Sequence, residues 1–91
     1  MGKAFVGVVS GRVQGVGFRY FTRDLALQLK VQGWVRNLPD GQVEFHAEGP
    51  EDAVEELLRR LKLGPVSGRV DRMVGDWLPS PQGFGHFEIR P

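Results

Sequence analysis

Three glycines in eight residues separate an apolar run from an amphipathic one: Ser10-Gly11-Arg12-Val13-Gln14-Gly15-Val16-Gly17, followed by Phe18-Arg19. A glycine loop that opens a helix turns several backbone N–H groups the same way, beside the positive end of the helix dipole. With a guanidinium at the helix entrance, where Arg19 stands, such a loop can hold a phosphate or a carboxylate. The plainer alternative is that Gly15 and Gly17 only make a turn and Arg19 is solvated. The usual nucleotide loops do not fit. Gly15-Val16-Gly17 begins a G-x-G, but the third glycine of G-x-G-x-x-G falls on Tyr20, and no Gly-Lys-Ser/Thr occurs.

Asn37 is the only asparagine in the chain. A carboxamide donates and accepts at once, so it can hold a water by one end and a substrate oxygen by the other. It suits the start of a turn equally well, where asparagine bonds its own backbone. Other chemistries lack their residues. There is no cysteine, which removes disulfides, thiol nucleophiles and cysteine-bound metals. Ser10, Thr22, Ser67 and Ser80 have no histidine nearby in sequence, so no triad is visible. Glu44, His46 and Glu48 alternate with Val43, Phe45 and Ala47, which puts all three on the outer, solvated face of a strand. His86 near the end is uninformative. Catalysis here must work without an obvious protein base, and no Asp/Glu/His cluster suggests a metal.

The elements that must position these residues are legible from periodicity. Ala4 to Val9 is an apolar, β-branched run and reads as a central strand. Phe18, Phe21, Leu25 and Leu29 recur at three- and four-residue spacing, which predicts a helix over Tyr20–Gln32 with Gly33 as its left-handed cap. Trp34–Leu38 is a strand, Pro39-Asp40-Gly41 a turn, and Gln42–Glu48 a strand paired back on it. Val54, Leu57, Leu58 and Leu61 mark a second helix, with Pro50 at its start, Gly64-Pro65 at its end, and Glu55–Arg59 and Glu56–Arg60 as i,i+4 pairs. Arg69–Trp77 and a last short strand over Phe84–Arg90 complete the set. The order β-α-β-β-α-β is that of an α+β, ferredoxin-like split βαβ sandwich: an antiparallel sheet with two helices on one face, plus a possible short fifth strand. In this topology the first two strands run parallel with the third between them. Their C-terminal ends share one edge, bringing residues 11–19 near residues 36–41.

Composition bounds the rest. Ninety-one residues, 41% of them hydrophobic and 25% charged, suit one folded domain over 1–91 rather than a two-domain enzyme. Twelve basic against eleven acidic residues give a net charge of +1, too little for a nucleic-acid binder that relies on bulk charge. No stretch reaches 18 apolar residues, and Met1-Gly2-Lys3-Ala4-Phe5-Val6 lacks the long apolar run of a signal peptide. With no cysteine, a cytoplasmic setting fits.

The stretch Gly11-Arg12-Val13-Gln14-Gly15-Val16-Gly17-Phe18-Arg19 resembles the acylphosphatase signature G-x-V-Q-G-V-x-F-R. Gly33-Trp34-Val35-Arg36-Asn37 is similar to the second signature of that family, G-[FYW]-[AV]-x-N, and the likeness covers nearly the whole chain. The resemblance implies hydrolysis of carboxyl-phosphate anhydrides to a carboxylate and inorganic phosphate. It implies phosphoryl binding by Arg19 with the loop Gln14, Gly15, Val16, Gly17 and Phe18, water orientation by Asn37, and support from Thr22. It further implies a monomer that needs no metal or other cofactor, takes a small acyl phosphate as substrate and inorganic phosphate as product and inhibitor, and has no nucleic-acid or membrane partner. An RNA-binding module of the same architecture is a poor match, because Arg19 stands where its motif needs a small residue. A carbamoyl-phosphate module of a larger protein, and a phosphate-binding domain without turnover, are the competing readings.

Overall fold

A computed structural model describes residues 2–91. Its elements are β1 (Gly2–Arg12), α1 (Phe18–Leu29), β2 (Gln32–Asn37), β3 (Val43–Pro50), α2 (Glu51–Leu63), β4 (Arg69–Leu78) and β5 (Phe87–Ile89). The sheet order is β4-β1-β3-β2-β5. β3 is antiparallel to both β1 and β2, so β1 and β2 run parallel, as the crossover helix requires. β5 pairs with β2 in parallel, so the sheet is mixed rather than wholly antiparallel. The fifth strand exists, but it is shorter than the segment Phe84–Arg90.

Strand parity builds the core. Phe5 and Val9 of β1, Val35 of β2, Val43, Phe45 and Ala47 of β3 and Phe87 of β5 face the helices. They meet Phe18, Leu25 and Ala26 of α1 and Val54, Leu57 and Leu61 of α2. Each large side chain buried there is worth roughly 1.5–3 kcal/mol. α2 begins and ends where its sequence signals place it, with Glu51 and Asp52 in the first turn and Gly64 closing it at φ 72°. Pro50 is the cap rather than the first helical residue. The expected Glu55–Arg59 pair does not form. Glu56 takes both arginines instead, Arg59 at 2.5 Å and Arg60 at 2.7 Å, and their hydrogen bonds hold its carboxyl at about 2.

α1 starts and stops earlier than its periodicity suggests. Lys30, not Gly33, is the left-handed cap at φ 59°, and Val31 N–H closes back onto the Ala26 carbonyl at 2.8 Å. Gly33 lies inside β2 at φ 140°, where a Cβ would strike the His46 carbonyl. It is glycine because two backbones approach closely there, not because a helix ends.

The outer face of the sheet corrects a second expectation. His46 and Glu48 do point away from the helices, yet they are only 4% and 3% exposed. The reason is topological. β4 and β5 occupy opposite edges and the helices fill one face, so the connection Pro79–His86 crosses the other. It lies over β3 like a strap. Glu48 accepts backbone hydrogen bonds from Gln82, from Gly83 (2.9 Å) and from Phe84 (3.4 Å), and His46 Nε2 donates to it at 2.7 Å. The Phe84 ring meets the His46 ring edge-on at 4.9 Å. Arg90 lies over both Trp34 and Phe84. Alternation gives the face a residue points to; it does not tell what covers that face.

Candidate active site

β1 leaves the sheet through an irregularity. Its register against β4 shifts between Ser10 and Gly11. Beyond it, Val13 and Phe18 are buried and Val16 packs against the core, while Gly15 and Gly17 face open space. Apolar residues thus pin the loop at three points, and the two glycines between them take φ 75° and 78°, conformations that side chains disfavour. Gly17 is the N-cap of α1. No side chain caps the helix and its first turn holds no acid, so the helix itself does not compensate the positive end of its dipole.

Arg19 sits in that first turn, half-buried. Among the described arginines only Arg12, Arg19 and Arg72 have no carboxylate within 4.0 Å, and of these three only Arg19 is half-buried, the others being exposed. A partly desolvated guanidinium without a counter-charge favours an anion at this place. Thr22 is buried one turn on, and its hydroxyl donates to the Phe18 carbonyl at 2.8 Å. This bond lies within the helix and spans the turn that carries Arg19.

Asn37 ends β2 on the helix side of the sheet, in one row with Val43 and Val9. Two strand spacings, about 10 Å, separate it from the end of β1. Its carboxamide oxygen is buried and has no hydrogen-bond partner. Such an atom costs on the order of 1–3 kcal/mol and is rare. The hairpin turn does not use it. Asp40 makes that turn, accepting from Gln42 N–H at 3.0 Å and from Gln42 Nε2 at 2.7 Å, the two bonds that hold its carboxyl below 3.8. The reading of Asn37 as a turn-former therefore finds no bond behind it.

Gln14 joins the two halves. Its side-chain N–H groups donate to the Leu38 and Gln42 carbonyls, both at 2.8 Å, across 24 and 28 residues of chain. The sequence reading counts Gln14 only among the loop amides. Its two side-chain donors were the one hint of this second task, and their acceptors could not be named without the fold.

An α+β sandwich with an uncapped helix, an unpaired arginine and an unsatisfied asparagine at one sheet end defines a small anion-handling protein. Residues 5–89 match the acylphosphatase family. The acylphosphatase of Syntrophotalea carbinolica is 60% identical over 82 residues, which span 90% of this chain and 89% of that protein. The crystal structure of acylphosphatase from Bacillus subtilis superposes with a TM-score of 0.95 at 40% identity, both chains being covered in full. The fold also recurs as a small part of a longer chain: the T. kodakarensis HypF structure is 35% identical, covering 98% of this chain and 12% of that one, with a TM-score of 0.84. The chain belongs to the acylphosphatase family, and its activity is the hydrolysis of acyl phosphates.

Proposed function

We propose that the amides of residues 14–19 and the Arg19 guanidinium hold the phosphoryl group, and that Asn37 holds the attacking water. The water oxygen bonds to phosphorus and the bond from phosphorus to the acyl oxygen breaks. Its electron pair leaves on the carboxylate. The proton lost by the water passes to a non-bridging oxygen of the phosphoryl group, so no protein base is needed. A carboxylate is a stable leaving group, and a loose phosphoryl-transfer transition state asks little proton removal of the water. What remains for the protein is position and charge, together worth several kcal/mol. Inorganic phosphate, the product, competes for the same cradle. The proposed mechanism assigns every role to the loop, Arg19 and Asn37 and calls on no metal or other cofactor.

The observation that carries this reading is the unpartnered, buried oxygen of Asn37 at the same sheet end as the unpaired Arg19. Asn37→Ala tests it. We expect kcat to fall by on the order of 10²–10³, the scale of one lost preorganised polar partner. Phosphate affinity should stay within a few fold, and stability should fall by no more than about 1 kcal/mol, because no protein bond is lost. Paired kinetics and phosphate titration read both quantities. A normal kcat would make Asn37 structural, and parallel loss of phosphate binding would move it into the anion site.

A further inference from the structure

The strap from β4 to β5 is fastened to the sheet by one carboxylate. Glu48 lies under it with three backbone N–H groups of residues 82–84 and the His46 ring turned onto its two oxygens. That is a strong anchor, since bonds to a buried charged acceptor exceed neutral ones. What it anchors is a weak element. β5 has three residues, lies at the edge, and pairs in parallel with β2 alone. A strand that short cannot hold its own register, and a one-residue slip would turn Phe87 and Ile89 out of the core. Its register is set from both ends. Phe84, the last residue on the Glu48 anchor, precedes Phe87 by three positions, and at the far end Arg90 N–H donates to the Val35 carbonyl at 2.8 Å. Val35 is two residues from Asn37, on the same face of the same strand.

We propose that Glu48 is a positioning residue for the hydrolysis: through the strap and β5 it holds the end of β2, and so the carboxamide of Asn37. It does so without touching substrate. Glu48 pairs with Gln32 at the opposite end of β2, about 17 Å along the strand from Asn37. The glycine loop leaves the other end of β1, about seven residues beyond Ala4, which faces Glu48, and it takes none of these bonds. Loosening the strap therefore affects the water and spares the phosphate. The inference rests on the role given above to Asn37.

The test uses Glu48→Gln, Glu48→Ala, Asn37→Ala and the double variant Glu48→Ala/Asn37→Ala. Glu48→Gln keeps the volume and loses the charge, so it remains folded if the alanine variant does not. Either single change at Glu48 should lower kcat about tenfold, the effect of a sub-ångström misplacement, and leave the phosphate dissociation constant within twofold. Amide exchange should quicken at residues 82–90 and stay slow in β1 and α2. In the double variant kcat should equal that of Asn37→Ala, because the effect of Glu48 passes through Asn37. An unchanged kcat with a loosened strap overturns the proposal, as does equal loss of kcat and phosphate affinity, or additive effects in the double variant. If Asn37→Ala itself leaves kcat normal, the water-holding role fails first. If it slows while the Glu48 variants do not, only the positioning role fails.

Discussion

Arg19 is a cation that no carboxylate among the described residues meets within 4.0 Å. Most arginines here have carboxylate partners at the surface; Arg19 is half-buried beside an uncapped helix and has none. An anion that binds the folded chain alone adds stability by mass action, roughly 2.7 kcal/mol at a hundredfold excess over its dissociation constant. Inorganic phosphate should raise the melting temperature of the protein in this way. Arg19→Ala should abolish the rise and cost little when phosphate is absent, because no ion pair is broken. Arg19→Lys should restore little of the rise, since a point charge cannot reproduce the planar fork that meets two phosphate oxygens. Melting curves across a phosphate series decide the matter. A full shift in Arg19→Ala would place the anion elsewhere.

At the scale of elements, the two signature segments belong to different strands, and past the end of each strand the chain runs on into a loop or turn. The loop after β1 is pinned by Val13, Val16 and Phe18, and the hairpin by Asp40. Gln14 couples them, with both donors of one side chain on the backbone of the other segment. Gln14→Ala should cost about 1–2 kcal/mol for two neutral, partly buried hydrogen bonds. It should also lower kcat/KM by about tenfold, because Asn37 and the phosphate cradle would no longer be held in register. Denaturant unfolding and steady-state kinetics on one preparation check both. Lost stability with unchanged kcat/KM would make the clamp structural only.

At the scale of the whole molecule, one part of the pH dependence lies beneath the strap. Burial pushes the Glu48 carboxyl up. The Gln82 amide, the His46 ring and the amides of Gly83 and Phe84 together outweigh that and hold it below its ordinary 4.5. A carboxyl lower in the folded state contributes stability that is complete above that ordinary value and is lost as pH falls through the folded one. The wild type should therefore lose more stability than Glu48→Gln between pH 6 and pH 3 (an interval chosen as roughly spanning the window). Asp40, Glu56, Asp71 and Glu88 are also held low, but they are present in both proteins and cancel in the comparison. Urea midpoints across that range read the difference, and parallel acid losses would remove Glu48 from the account.

What could be read before the fold was known is local. Periods of two and near four residues set the strands and helices, because side-chain direction repeats with backbone geometry. The split βαβ order followed, and with it the meeting of the glycine loop and the end of β2. Arg19 and Asn37 could be singled out as candidates because their residue types carry chemistry, and the resemblance supplied their expected roles. Gly33 shows where such reasoning stops: a glycine after a helical period suits a cap, and only the His46 carbonyl above it tells that the demand came from another strand. The same holds for Glu48 and His46. Their alternation put them on the outer face, yet burial depends on a crossing that begins thirty residues later and spans the sheet from edge to edge. Tertiary structure alone decided that Asp40 rather than Asn37 makes the turn, that Gln14 bonds the far hairpin, and that a carboxylate lies beneath the strap. Each depends on atoms brought together from distant parts of the chain, and no local pattern records a partner that far away.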